Sequence, residues 1–142
     1  MVNPLSETQE DRTWFEDGIV YTEFVHPVNA AAIKAMQNKG LEVLAQTGAN
    51  HVPYIVIIKG EAQGNMHIGL GDMGKIVSHE FTKHISSIWT VGRTQAHNKI
   101  TDAINHYFLG NRMHFVDTLE EAQAGARQLI HDTLGLLEQD KD

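Results

Sequence analysis

The chain has 142 residues, of which 42% are apolar, and this length suits one ordinary globular domain. Its 11 basic and 18 acidic side chains give a net charge of −7. Nucleic acid is therefore not an expected partner, because affinity for DNA or RNA depends on clustered Lys and Arg. The chain contains no cysteine, which excludes disulfides, thiolate metal sites and cysteine nucleophiles.

The pattern of apolar residues predicts a cytoplasmic protein with no stable membrane insertion. The longest apolar run, residues 54–58, is much shorter than the roughly 20 residues that cross a bilayer. The first residues also lack the basic start and apolar run of a signal peptide.

The first predicted elements are a β-hairpin and a helix. Residues 13–25 contain two β-rich runs around Asp17-Gly18, a dipeptide that tolerates the positive φ angles of a tight hairpin turn. No basic residues interleave the hairpin aromatics, so we expect core packing and strand pairing rather than base stacking from Trp14, Phe15, Tyr21 and Phe24. Asn29 is a candidate helix cap, and the apolar spacing behind it predicts a helix that ends at Gly48.

A strand in the middle of the sheet is predicted next. Residues 54–58 (YIVII) form a continuous, β-branched apolar run, which is typical of a strand covered by helices on both faces. A glycine-containing loop over residues 59–71 follows. Asp72 could cap the second helix, whose apolar stripe runs through Phe81 to Ile85.

The remaining residues continue the alternation of strands and helices. The pattern predicts a strand at 87–91, a helix over about 96–108, a short strand at 113–116 and a last helix after the capping box at 118–121. Alternation of this kind implies parallel crossovers within one sheet. We therefore predict a single α/β domain with a mixed, mostly parallel five-stranded sheet and four helices.

The boundaries of this domain follow from the polar ends of the chain. We expect a flexible segment at residues 1–12, the folded domain at 13–137 and a charged tail at 138–142.

Two local motifs resemble known sites but lack a required feature. Residues 69–75 (GLGDMGK) satisfy GxGxxG and the front of a phosphate-binding loop, yet Ile76 stands where Ser or Thr would hold Mg²⁺. Residues 79–84 (HEFTKH) resemble the zinc-protease motif with one residue too many, so on an α-helix the two His point about 140° apart. We predict neither a metal nor a cofactor.

A polar stripe on the third predicted helix offers one candidate for acid–base chemistry. Asp102 and His106 are four residues apart and can pair, and His97 is a further polar residue of this predicted helix. The alternative is a solvated helix surface. The chain has no GxSxG nucleophile elbow.

Three stretches of sequence carry a resemblance to a known family. They are residues 14–21 (WFEDGIVY), 52–58 (VPYIVII) and 115–122 (FVDTLEEA). With them the chain resembles the SpoIIAA-like proteins, close in fold to the STAS (anti-sigma-factor antagonist) domains, over about residues 13–131. STAS antagonists carry a phosphorylatable Ser or Thr after the central strand, whereas residues 59–65 here contain neither.

The resemblance implies a non-enzymatic regulatory or protein-interaction domain of SpoIIAA/STAS-like type, expected as a homodimer. The family is also similar in fold to CRAL-TRIO lipid-binding domains, so one alternative is a carrier of a small apolar ligand or lipid. Ligands of open α/β sheets bind beyond the carboxyl ends of the strands, where the candidate binding residues are Lys59, Glu61, Arg93 and His97. A second alternative is an enzyme that uses His97, Asp102 or His106.

Overall fold

The chain begins with the hairpin that the Asp17-Gly18 dipeptide predicts. In a computed structural model, which describes residues 10–59, 66–67, 70–92 and 113–140, strand β1 (Arg12–Glu16) pairs antiparallel with β2 (Ile19–Phe24). Asp17 and Gly18 have φ angles of 53° and 80°, as a turn of this type requires. The prediction of the hairpin is confirmed.

The first helix, α1 (Ala30–Thr47), has both of the ends that the sequence predicts. The Asn29 side chain accepts a hydrogen bond from the Ala32 amide at 2.8 Å. Gly48 adopts a left-handed conformation with φ 73°, and its amide donates to the Leu44 carbonyl.

The strand β4 (Val52–Ile58) lies at the centre of a five-stranded sheet with the order β1-β2-β4-β6-β7. β6 (Ile85–Val91) and β7 (Met113–Val116) continue the sheet on its far side, and every pairing except β1–β2 is parallel. A short parallel pair of β3 (Val28–Asn29) and β5 (Met66–His67) forms separately. The mixed, mostly parallel five-stranded sheet is confirmed.

Helices cover both faces of this sheet, because β4 carries apolar side chains on both sides. On one face, called the α3 face below, Ile55 and Ile57 pack with Ala122 and Ala126 of α3 (Leu119–Asp140). On the other face, the α1 face, Tyr54 packs with Leu44 of α1 and with Phe81. The burial expected for residues 54–58 on both sides is thus present, with Val56 alone left partly exposed.

The second predicted helix is shorter than its apolar stripe suggests. Helix α2 spans Leu70–Ser78, so Asp72 lies inside its first turn and does not cap it. A separate 3₁₀ helix spans Glu80–His84, and Ile85 already belongs to β6. The prediction that one helix runs to Ile85 is wrong, because the chain turns extended at His79, with φ −61° and ψ 144°.

Three α-helices are described where four were predicted. The remaining one, over about residues 96–108, lies outside the described residues. The capping box before α3 is half formed: the Glu121 amide donates to the Thr118 hydroxyl at 3.2 Å, and that hydroxyl donates to the Glu121 carboxylate.

Candidate functional site

The carboxyl edge of the sheet is where the sequence places a ligand site. Of the residues proposed for it, Lys59 follows β4 directly, and its amide donates to the Phe24 carbonyl at 2.9 Å. Glu61, Arg93 and His97 lie outside the described residues.

The Lys59 ammonium binds a buried carboxylate. Its Nζ lies 3.2 Å from Oε2 of Glu23, near the end of β2. Oε1 of the same carboxylate lies 3.6 Å from Nε of Arg12 on β1. The Glu23 side chain is only 6% exposed, whereas Arg12 and Lys59 are 65% and 57% exposed. The buried Glu23 carboxylate therefore bridges two exposed cations, Arg12 and Lys59, at this edge of the sheet.

Glu23 is not among the predicted site residues, although its position in β2 carries a signal. Ile19, Tyr21 and Glu23 occupy alternate positions of β2, and alternate side chains of a strand point to the same face. Because Ile19 and Tyr21 belong to the core, Glu23 also faces the covered side of the sheet. A carboxylate on such a face needs partners. These come from the strand register, which sets Arg12 opposite Glu23 across the hairpin and Glu23 beside Ile57 of β4.

Aromatic rings extend this cluster along the hairpin. The Arg12 guanidinium lies 4.5 Å from the centre of the Trp14 ring. Trp14 in turn stacks on Tyr21, with ring centroids 5.1 Å apart and an angle of 5° between the rings. The Tyr21 hydroxyl accepts a hydrogen bond from Gln123 of α3 at 3.2 Å. We call the side chains of Arg12, Trp14 and Glu16, which β1 presents on the α3 face, the hairpin face.

The α1 face of the sheet buries a chain of hydroxyl groups. Tyr54 donates to the Thr22 hydroxyl at 2.6 Å, and Thr22 and Thr13 are hydrogen-bonded at 2.8 Å. Thr13 also lies 3.4 Å from the Met36 sulfur as a donor. Burial raises the pKa of Tyr54 well above its ordinary value of 10.0, despite the opposing hydrogen bond to Thr22. The phenol therefore stays protonated and acts as a donor that ties β4 to β2.

The His79 and His84 rings are both engaged by asparagine side chains. His79 Nδ1 accepts from the Phe81 amide at 3.1 Å, and its Nε2 is 2.9 Å from the Asn38 oxygen. His84 Nδ1 lies 2.8 Å from the Asn50 oxygen. These contacts fix the 3₁₀ helix against the middle of α1 and against the segment between α1 and β4.

The glycine motif of residues 69–75 does not form a loop in the part that is described. Gly71 and Gly74 lie within helix α2. Their positions differ from those of a phosphate-binding loop, in which the glycines precede the helix and expose backbone amides.

A second aromatic stack lies on the same α3 face, at the other edge of the sheet. His114 of β7 lies over Trp89 of β6, with ring centroids 4.1 Å apart and 19° between the planes. The indole Nε1 donates to the Ser87 hydroxyl at 2.9 Å. Burial lowers the pKa of His114 below its ordinary value of 6.5.

This lowered pKa predicts a pH dependence of stability. The folded protein binds the His114 proton less readily than the unfolded chain does. The neutral His114 ring therefore contributes to the stability of the fold above pH 6.5, and this contribution is lost as the pH falls through the pKa of the folded state. We expect the wild type to lose stability relative to His114→Phe, which keeps a ring on Trp89, in urea unfolding between pH 8 and pH 5. A relative gain for the wild type at low pH would instead show that attraction between imidazolium and indole exceeds the cost of burial.

His97, Asp102 and His106, the residues of the enzymatic alternative, lie outside the described residues. Among the residues that are described, no three His, Asp or Glu side chains form a group able to hold a metal ion. A search of the described helices finds none with the length and apolar character to span a membrane.

Comparisons with known proteins do not assign the chain to a family. No protein-family model matches the sequence, and no curated protein matches it.

Proposed function

We propose that this chain is a non-enzymatic regulatory or protein-interaction domain of SpoIIAA/STAS-like type that makes its contacts through the hairpin face. The observation that carries the proposal is the arrangement of Arg12 over Trp14 on an edge strand. Arg and Trp are among the residue types that contribute most to protein interfaces, because they combine large contact area with directional polar groups. Here each is held in place before any partner binds.

The stack on Tyr21 supplies this pre-organisation. Tyr21 is 2% exposed and fixed by Gln123, so the ring below Trp14 is rigid. Glu23, which is also buried, lies two residues after Tyr21 on the same face of β2 and attracts the Arg12 guanidinium. A surface ordered in this way loses little side-chain entropy on binding.

The buried polar groups behind this surface support a structural role for the sheet. Glu23 has Arg12 and Lys59 as partners, and the Tyr54 hydroxyl donates to Thr22. The amide of Gln37, 5% exposed, donates to the Ile76 carbonyl at 3.0 Å and joins α1 to α2. Polar groups with internal partners of this kind stabilise and specify a fold.

The places of the three resembling stretches support the proposed family type. Residues 14–21 cover the hairpin turn, residues 52–58 are the central strand β4, and residues 115–122 contain the junction between β7 and α3. The resemblance implies an opening hairpin, a central strand and a last-helix entry for these stretches, and their places support the proposed family type and, with it, a regulatory function.

Position-specific photo-crosslinking in the source cells tests the proposed function. The photoreactive residue p-benzoylphenylalanine replaces Glu16, which is exposed on the hairpin face, and in a matched control replaces Glu42, exposed on α1. We expect a discrete protein adduct from position 16 and none from position 42, with the partner identified by mass spectrometry. Absence of any protein adduct at position 16, or the same adducts at both positions, would contradict the proposal.

A further inference from the structure

The outer edge of β1 is an open strand edge in the described part of the structure. β1 is the first strand in the sheet order, and no described strand lies along its outer side. An open edge presents backbone N–H and C=O groups that can pair with another strand. The three central residues of this strand are Thr13, Trp14 and Phe15, none of which is charged, whereas edges that resist pairing carry charges or proline.

The hairpin turn determines which backbone groups point outward. A two-residue turn closes on a hydrogen-bonded pair, here Glu16 and Ile19. Because such pairs alternate along an antiparallel ladder, Glu16, Trp14 and Arg12 direct their backbone groups toward β2. Thr13 and Phe15 therefore direct theirs to the outer edge.

A second copy of β1 fits this edge. In an antiparallel pairing centred on Trp14, Thr13 of each copy lies opposite Phe15 of the other. Both residues direct their backbone groups outward, so these two pairs exchange four hydrogen bonds in all. Trp14 then lies opposite Trp14 at a non-hydrogen-bonded position, where side chains approach most closely.

The charges on the strand select this register. Pairing centred on Trp14 sets Arg12 of each copy opposite Glu16 of the other, on the same face as the two Trp14 rings. Glu16 is exposed and the Arg12 side chain is 65% exposed, so both can reach across the seam. If the pairing is centred instead on Thr13 or on Phe15, the outward backbone groups of the two strands still match. Glu16 then lies opposite Glu10 in the first case and opposite Trp14 in the second, and no longer opposite Arg12.

We infer that the occupant of the hairpin face is a second copy of this chain, joined through antiparallel β1–β1 pairing into a ten-stranded sheet with twofold symmetry. This inference rests on the proposed function and names its partner. A twofold axis through Trp14 makes each contact occur twice, as self-complementary interfaces require. One strand of five residues makes a short seam, so we expect dissociation in the micromolar range.

Charge reversal on the full-length protein tests the inference by sedimentation equilibrium from about 1 to about 500 µM, a range that suits a small interface. We expect Glu16→Arg to raise the dissociation constant about tenfold or more, since it sets Arg against Arg twice. The matched control Glu42→Arg makes the same change of charge on α1 and should leave the constant unchanged.

A mixture of two variants separates this pairing from effects on folding. Arg12→Glu alone should also weaken the dimer, but an equimolar mixture with Glu16→Arg should associate, because every opposed pair then joins Glu to Arg. Circular dichroism confirms that each variant is folded. If Arg12→Glu does not fold, the comparison of Glu16→Arg with Glu42→Arg decides alone.

Two outcomes would overturn the inference: a wild type that is monomeric throughout the range, or equal effects of the substitutions at positions 16 and 42. If crosslinks from position 16 then lead to a different protein, the proposed function stands and only the self-pairing fails. If position 16 crosslinks neither to a second copy nor to a different protein, both the self-pairing and the proposed function are ruled out.

Discussion

Removal of both cations around Glu23 should destabilise the protein far more than removal of either one. We expect Arg12→Gln combined with Lys59→Met to lower the free energy of unfolding by about 3–5 kcal/mol at pH 7, because the buried carboxylate then loses both of the cations that the described residues place beside it. Each single substitution leaves the other cation in place and should cost only about 1 kcal/mol. The effects are non-additive because both cations contact the same carboxylate, at 3.6 and 3.2 Å.

The matched control adds Glu23→Gln to the double variant. This triple variant should recover most of the lost stability, since the group that lacked a counter-charge is gone.

Urea unfolding at low micromolar protein concentration measures these effects apart from any association of the hairpin face. A triple variant as unstable as the double variant would show that Arg12 and Lys59 act through packing of their aliphatic stems rather than through Glu23.

The elements that could be predicted from the sequence are those with local signals. The turn at Asp17-Gly18 and the caps at Asn29 and Gly48 each depend on side chains or φ angles within a few residues. The central strand, too, was visible as one uninterrupted apolar run. Such features can be predicted without knowing which distant parts of the sequence pack against them.

The end of α2 shows where local patterns become ambiguous. Phe81 and Ile85 are spaced as on a helix, yet the chain leaves the helix at Ser78. The Thr82 hydroxyl then donates to the carbonyls of Val77 and His79, both at 2.7 Å, and stabilises the break. Phe81 and Ile85 both join the core from different elements, so burial and spacing alone could not distinguish the two conformations.

The candidate site depended on information that the sequence does not contain locally. Arg12, Glu23 and Lys59 come from different parts of the chain, and only the strand register brings them together. Lys59 was predicted from its position after a central strand, but its role as a partner of Glu23 was not. The alternation of residues in β2 indicates that Glu23 lies on a covered face. Its partners, however, can be identified only from the pairing of the strands in the sheet.

Two helix glycines should respond to alanine in the opposite direction from ordinary ones. Alanine is normally favoured over glycine in a helix by about 1 kcal/mol. At Gly40 of α1, however, a Cβ atom would lie 2.3 Å from the Phe81 ring, and at Gly125 of α3 it would lie 2.3 Å from the Trp89 ring. Neither approach is possible unless the ring or the helix moves.

Both rings are held by other contacts. Phe81 is 1% exposed and packs edge-on against Tyr54, with centroids 4.9 Å apart. The Trp89 indole is hydrogen-bonded to Ser87 and stacked against His114. We therefore expect Gly40→Ala and Gly125→Ala each to destabilise the protein by about 1–3 kcal/mol, the range of overpacked cores.

Gly74→Ala is the matched control, because this glycine also lies within a helix and a Cβ atom there meets nothing within 4 Å. It should raise stability by up to about 1 kcal/mol, so the difference from either core glycine should be about 1–4 kcal/mol in urea unfolding. A relief variant adds Phe81→Leu to Gly40→Ala, and the cost of the alanine should be smaller in that background. Equal stabilisation at all three glycines would mean that the helices do not lie against the rings as closely as 2.3 Å implies.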